Sequence, residues 1–281
     1  MRVGDILLAR YGAPGSESPI AISDGNAYDL TGHINDFDSR FWAEYGVDIL
    51  SSLLPRCPTV DISGERIGAP VPRPGKVICI GLNYRDHAEE TGAEPPPEPV
   101  VFMKAPNTVV GPNDPILIPP GSTTTDYEVE LAIVIRTECR YLPDEESAAS
   151  AIGGYTISND LSERTFQLDR GGQWTKGKSF ETFNPLGPYL AFMPDISEPR
   201  TLELRVNGEI RQSSDTSQMI FSPTQIVWYL SQFMVLEPGD IINTGTPAGV
   251  ALGSDAHKYL KQGDVIETSI SGLGTQRNRC E

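Results

Sequence analysis

The chain has 281 residues, 38% of them hydrophobic and 21% charged, which is enough apolar material for one large domain or for one large and one small. A formal net charge of −16 with no Lys/Arg cluster excludes a counterion-displacing nucleic-acid face, and no stretch approaches the ~18–20 apolar residues of a membrane span. The four cysteines (Cys57, Cys79, Cys139, Cys280) form no CxxC pair, and MRVGDILLARYG is too weakly apolar for a secretory signal, so a cytoplasmic protein with reduced thiols is expected.

In chain order, residues 1–70 are expected to form a small β-rich N-terminal domain, and 71–281 the main one. DILLA is predicted as a strand, SPIAISDGNAYDLTG as two short strands around Asp24, Gly25 and Asn26, and HINDFDSRFWAEYGVDILSSLL as more helical. PRCPTVDISGERIGAPVPRPG, with its Pro-rich ends, is predicted as a linker. Further strands are predicted at KVICIG, PVVFMK, VELAIVI, GYTIS, LELRVNG, DIINTG and VIETSI, and helices near 84–91, 144–151, 161–169 and 223–235. The Gly-Asp pairs Gly4-Asp5, Gly239-Asp240 and Gly263-Asp264 suit turns that lead into strands. Many short strands punctuated by Gly and Pro indicate an α+β, β-rich fold with peripheral helices.

One formal motif is set aside. Gly172 to Ser179, GQWTKGKS, fits the phosphate-loop pattern, but LDRG before it is no buried strand, and Pro185, Gly187 and Pro188 prevent a long helix after it. The chain has no G-x-S-x-G, H-E-x-x-H or G-x-G-x-x-G.

The acids are more informative. In TTTDYEVELAIVI, Asp126, Glu128 and Glu130 alternate and share one strand face, and the strand then runs on as apolar AIVI. Carboxylates entering a core repel one another unless a cation offsets them, and hard oxygen ligands select Mg²⁺, Mn²⁺ or Ca²⁺. Taken alone, the same acids also suit a solvated strand edge. Asp160 stands at the predicted start of a helix, on one face with Arg164 and Gln167; an N-cap and a solvated helix face are the plainer readings. His87 and Glu90 are three apart, so on a helix they share a face and can form a general-base pair, the alternative being a surface His among acids.

Together, GLNYRDHAEE, VVFMKAPNTVVGP, DYEVELAIVI, NDLSERTFQ, KGKSFETFNPLGP and NTGTPAGV, in this order, resemble the fumarylacetoacetate hydrolase superfamily over roughly residues 75–275. The resemblance implies a mixed β-roll catalytic domain, a homodimer, metal ligands at Glu128, Glu130 and Asp160, and a His87–Glu90 dyad that activates water from a segment able to close as a lid. It further implies an active-site lysine at Lys178 and positions near a small anionic keto-acid substrate at Arg164, Gln167 and Thr246. The wider pattern is most similar to a bacterial subgroup of diketo-deoxy-sugar-acid hydrolases and ureidoglycolate-lyase-like proteins. The expected chemistry is Mg²⁺-assisted hydrolysis of a 2,4-diketo acid of the acylpyruvate type, with Mn²⁺ or Ca²⁺ as alternative ions. The alternatives are oxaloacetate decarboxylation or hydroxymuconate-type isomerisation through the same enolate and, outside enzymes, a metal-stabilised binding protein. The lid is expected from Tyr84 to about Pro99, because its helix is short and Gly92 and Pro95, Pro96 and Pro97 form a hinge and a strut.

Overall fold

The computed structural model describes residues 6–44, 46–92, 94–192, 198–254 and 256–281. It is a β-rich α+β fold of the fumarylacetoacetate hydrolase type. One long mixed sheet runs through the molecule. Its middle is Val129–Ile135, antiparallel to Ile152–Asn159 on one side and to Ile241–Asn243 on the other, and Val77–Gly81 and Val100–Lys104 complete that end.

Val129–Ile135 is buried along its whole length because both faces carry a core. Val129, Leu131, Ile133 and Ile135 join Leu202, Leu204, Ile266 and Ile270 of a second, four-stranded sheet. Ala132 and Val134 point the other way, toward Leu8, Phe37, Phe41 and Trp42 of the N-terminal part. Apolar side chains on both faces are what a doubly covered strand requires. The second sheet is antiparallel, in the order Glu209–Asp215, Thr201–Val206, Val265–Ile270, Gly274–Arg279. Its two outer strands escaped sequence reading because EIRQSSD and GTQRNR carry little apolar alternation.

The predicted strands and hairpins of the N-terminal part form at Leu7–Tyr11, Ser18–Ser23 and Asn26–Asp29. Asp5 and the pair Gly4-Asp5 lie outside the described residues, whereas Gly239 and Gly263 do precede strands, each with positive φ. The N-terminal strands continue the long sheet, since Leu7 and Leu8 pair with Ala191 and Leu190. The predicted linker needs correction. It carries two short strands, Thr59–Val60 against Asn26–Asp29 and Ile67–Gly68 against Leu7–Tyr11. Arg66 fixes the second by donating to Asp114 and Glu17, tying the segment to the main part of the chain.

Helices form at Arg85–Thr91, Glu145–Ala151 and Pro223–Ser231. The second starts where the Asp144 side chain accepts from the Ser147 N–H, and the third at a capping box of Ser222 and Gln225. The predicted α-helix over 161–169 does not form. Ser162–Glu163 pairs with Thr125–Asp126 as a short strand, and only Thr165–Asp169 winds, as a wide π turn. Glu163 explains the change: it accepts from the Ser122 and Thr124 hydroxyls and from the Phe166 N–H, which fixes the chain in an extended step before the turn.

Candidate active site

The site is set by strand register. Val129 lies opposite Asn159 and Glu130 opposite Ser158, so Asp160, one residue beyond the strand, donates its N–H to the Glu128 carbonyl at 2.9 Å. One oxygen from each of Glu128, Glu130 and Asp160 then falls within 4.8 Å of the others, and all three residues are buried. Glu130 is held from the other side by the Gly245 N–H, at 2.7 Å, just past Ile241–Asn243. Gly245 has φ +100, and a Cβ there would meet the Asn83 Cβ at 2.8 Å, so only glycine lets the backbone come this close.

Two lysines and an arginine surround the acids. Lys178 Nζ donates to Glu128 Oε2 at 2.7 Å and lies 3.0 Å from Asp160 Oδ2. Lys104 Nζ contacts Asp160 Oδ1 and donates to the Leu161 carbonyl. Arg164 donates to Glu128 Oε1 at 2.7 Å, to Asp126 Oδ2 at 2.9 Å and to Gln167 Oε1 at 2.8 Å. Arg164 and Gln167 therefore meet as expected, although by a π turn and not by an α-helix.

Burial alone would raise the Glu128 carboxyl, but Lys178 and Arg164 outweigh it and hold it down at about 2. Burial and then the charges of Asp160 and Glu128 push Glu130 well above the usual carboxylate range. Burial works against the charged Lys178, yet Asp160 and Glu128 keep it above its ordinary value. Lys104 goes the other way: burial lowers it despite Asp160. Asp160 Oδ2 has no partner in hydrogen-bond geometry, Lys178 being close but misaligned. A crowded triad of hard oxygens, one of them held toward its protonated form and one unpartnered, suits a divalent cation.

The dyad stands over this floor. His87 Nδ1 is 3.3 Å from Glu90 Oε2 on the helix Arg85–Thr91, and the Gly249 N–H donates to both Glu90 oxygens at 3.0 and 3.1 Å. A cavity of about 240 Å³ is lined by His87, Glu128, Glu130, Arg164, Gln167, Lys178 and Thr246 together with apolar side chains. The structure thus brings together all the predicted site residues except that Glu90 and Asp160 stand just behind the wall. The Thr246 hydroxyl donates to the Val129 carbonyl and accepts from Gln212, so it also braces the turn. Lys178 is positioned by Gly177, where a Cβ would lie 2.4 Å from the Glu163 carbonyl; this contact is what the phosphate-loop-like glycine serves.

Sequence reasoning left Asp126 open and passed over Lys104. Asp126 is fully buried and accepts from Arg164 and from the Ala251 and Leu252 N–H groups, so it ties the 250-loop to the site. The signal for Lys104 was a lysine closing the apolar strand PVVFMK, whose burial the periodicity could not reveal.

A buried carboxylate triad that could hold a metal ion, in one cavity with the histidine of a His–Glu dyad, is an arrangement suited to an enzyme. The chain belongs to the fumarylacetoacetate hydrolase family: the model of the fumarylacetoacetate (FAA) hydrolase C-terminal domain matches residues 76–281. A protein of Burkholderia multivorans that carries a provisional hydrolase name is 47% identical over 274 residues, 96% of each chain. The fumarylacetoacetate hydrolase of Exiguobacterium antarcticum superposes with a TM-score of 0.86 at 35% identity, over 98% of this chain and 99% of that one. A 2-hydroxyhepta-2,4-diene-1,7-dioate isomerase from Mycobacterium marinum gives 0.77 at 31% identity, over 98% of each. Such enzymes generally depend on a divalent metal, and the acidic triad offers a place for one. No helix among the described residues is long and apolar enough to cross a membrane, and the four cysteines are free and buried.

Proposed function

We propose that this protein is a divalent-metal-dependent hydrolase that cleaves the C3–C4 bond of a 2,4-diketo acid, releasing pyruvate or a related keto acid. The observation that carries the reading is the His87–Glu90 dyad in the same cavity as Glu128 and Glu130, with Asp160 completing the triad beneath. A decarboxylase built on the same floor would form its enolate by loss of CO₂ and so would need no base to activate water.

Glu128, Glu130 and Asp160 would hold Mg²⁺, with Mn²⁺ or Ca²⁺ as alternatives, and the ion would supply Lewis-acid polarisation of the keto group. Glu90, fixed by the Gly249 N–H, orients the imidazole through Nδ1, so the other ring nitrogen carries the lone pair that takes a proton from water. The water oxygen bonds to C4, the C3–C4 electron pair passes to the pyruvate fragment, and the proton held by His87 is returned to C3. Lys178, kept cationic by its acidic neighbours, offsets the negative charge that grows on the keto oxygen. Arg164 and Gln167, clamped to each other, and the Thr246 turn bound the space in which the keto acid is oriented. We extend the proposal to a homodimer and to a cytoplasmic location.

Pyruvate release from acylpyruvates, coupled to a dehydrogenase, tests the reading. Activity is expected with Mg²⁺ or Mn²⁺ and should vanish on chelation. His87→Ala should lower kcat by about 10²–10⁴-fold while metal binding measured by calorimetry is retained. Unchanged turnover in His87→Ala would refute the proposed base.

A further inference from the structure

We propose that the substrate is a monoanionic diketo acid with a compact, uncharged, apolar acyl group, and not a dicarboxylate or a sugar acid; the inference rests on the keto-acid site proposed above. The two ends of the cavity differ in kind. At the inner end are the carboxylate floor and Lys178. Outward from it stands an apolar wall. Phe102 lies 5.0 Å from Lys178 Nζ, Trp174 meets the Phe102 ring edge-to-face at 5.3 Å, and Leu82, Leu252 and the 41%-exposed Leu168 continue the lining. Trp174 is held against the strand by Gly81, where a Cβ would meet its ring at 2.7 Å.

The two permanent cations of this lining, Arg164 and Lys178, are buried among the acids of the floor and not in the wall. Arg164 is bound to Asp126, Glu128 and Gln167; Lys178 to Glu128 and Asp160; and His87 to Glu90. The cations nearest in sequence to the wall are directed elsewhere: Lys104 contacts Asp160, the Arg170 guanidinium sits 4.1 Å above the Phe166 ring, and Lys176 donates to the Arg170 carbonyl. Among the described residues, no charged donor belongs to this apolar wall, so a second carboxylate lying against it would be desolvated without a partner. Nor is the wall equipped for a polyol, since Leu82, Phe102, Leu168 and Leu252 carry no side-chain donor or acceptor. A cavity of about 240 Å³ lies below the ~300–1,000 Å³ usual for drug-sized ligands, which limits the acyl group to a short chain or one ring.

The test has two arms, both with Mg²⁺. In the first, kcat/KM is measured for acetyl-, propionyl- and butanoylpyruvate and for fumarylpyruvate. A rise of about fourfold per methylene is expected, with fumarylpyruvate about 100-fold below butanoylpyruvate. The second arm needs no turnover: calorimetry compares 2-oxohexanoate with 2-oxoadipate, in which a carboxylate replaces the terminal methyl. The former should bind about tenfold more tightly or better, and Leu168→Arg, at the exposed mouth, should close that gap. If no acylpyruvate is cleaved but 2-oxohexanoate still wins, the hydrolase reading falls and the specificity inference stands. Equal or tighter binding of 2-oxoadipate by the unmodified protein, or preference for fumarylpyruvate, overturns the inference. Failure of both ligands to bind overturns both.

Discussion

Glu130 stands near the start of an otherwise apolar strand, close to two other carboxylates, and its raised protonation range has opposite consequences for stability and for binding. Because the folded pKa lies above the ordinary value of 4.5, this residue supports the metal-free fold fully below that pH. The support is lost as pH rises through the folded value. Glu128, depressed to about 2, does the reverse: its contribution is present above 4.5 and lost as pH falls toward 2. Glu130→Gln keeps an acceptor for the Gly245 N–H while removing the repulsion. It should raise the Tm of the metal-free protein near neutral pH, by about 2–4 °C per kcal/mol recovered, and abolish metal binding. A lower Tm in that variant would show that the acids are not in conflict. Gly253 offers a finer probe, since a Cβ there would meet the Glu90 carboxylate at 2.6 Å. Gly253→Ala should displace Glu90 from the Gly249 N–H and cut kcat by about tenfold or more, with KM and Tm little changed; unaltered kcat would mean Glu90 does not orient the base.

The helix Arg85–Thr91 is the element on which catalysis is proposed to turn, and its attachment is uneven. Its first turn is clamped: Arg85 donates to the Met219 carbonyl at 2.9 Å, and Ser214 Oγ donates to Asp86 at 2.5 Å. At its other end Gly92 adopts φ +65, and residues from Glu94 to Glu98 are mostly exposed. The second turn is held through Glu90 to the Gly249 N–H, a contact that a lid hinged near Gly92 must break to open, and we expect ligand binding to order this turn. Hydrogen exchange with and without oxalate should show added protection at residues 88–92 and little change at 84–86. Equal, strong protection of the whole helix in both states would rule out closure. The His87–Glu90 spacing on this element was legible in sequence because three residues bring side chains to one helical face. The segment 161–169 was not, because hydrogen bonds from residues forty positions away hold Glu163 extended.

Across the molecule, the N-terminal part shares both sheet and core with the rest. Leu7 and Leu8 pair with Ala191 and Leu190, and Phe37, Phe41 and Trp42 pack in one cluster with Ala132 and Val134 of the central strand. We propose that residues 1–70 form a subdomain that unfolds together with 71–281 and not a freely folding domain. Calorimetry of the full chain should give one transition. A 71–281 fragment, with that apolar face uncovered, should bind ANS and lack a cooperative transition; a well-folded fragment would refute the proposal.

The sequence by itself determined several core strands and that three acids share one strand face. Alternation and apolar runs are local properties, so Val77–Gly81, Val129–Ile135 and the Asp126, Glu128, Glu130 series could be read directly. The ordered motifs were enough to indicate the family. Tertiary structure alone decided that Asp160 meets Glu128 and Glu130, because that depends on the register between two strands. It alone buried Lys104 and Asp126, paired every cation of the cavity, and built the apolar wall from Phe102, Leu168 and Trp174. Charge pairing and desolvation are set by neighbours distant in the chain, and no local pattern encodes them.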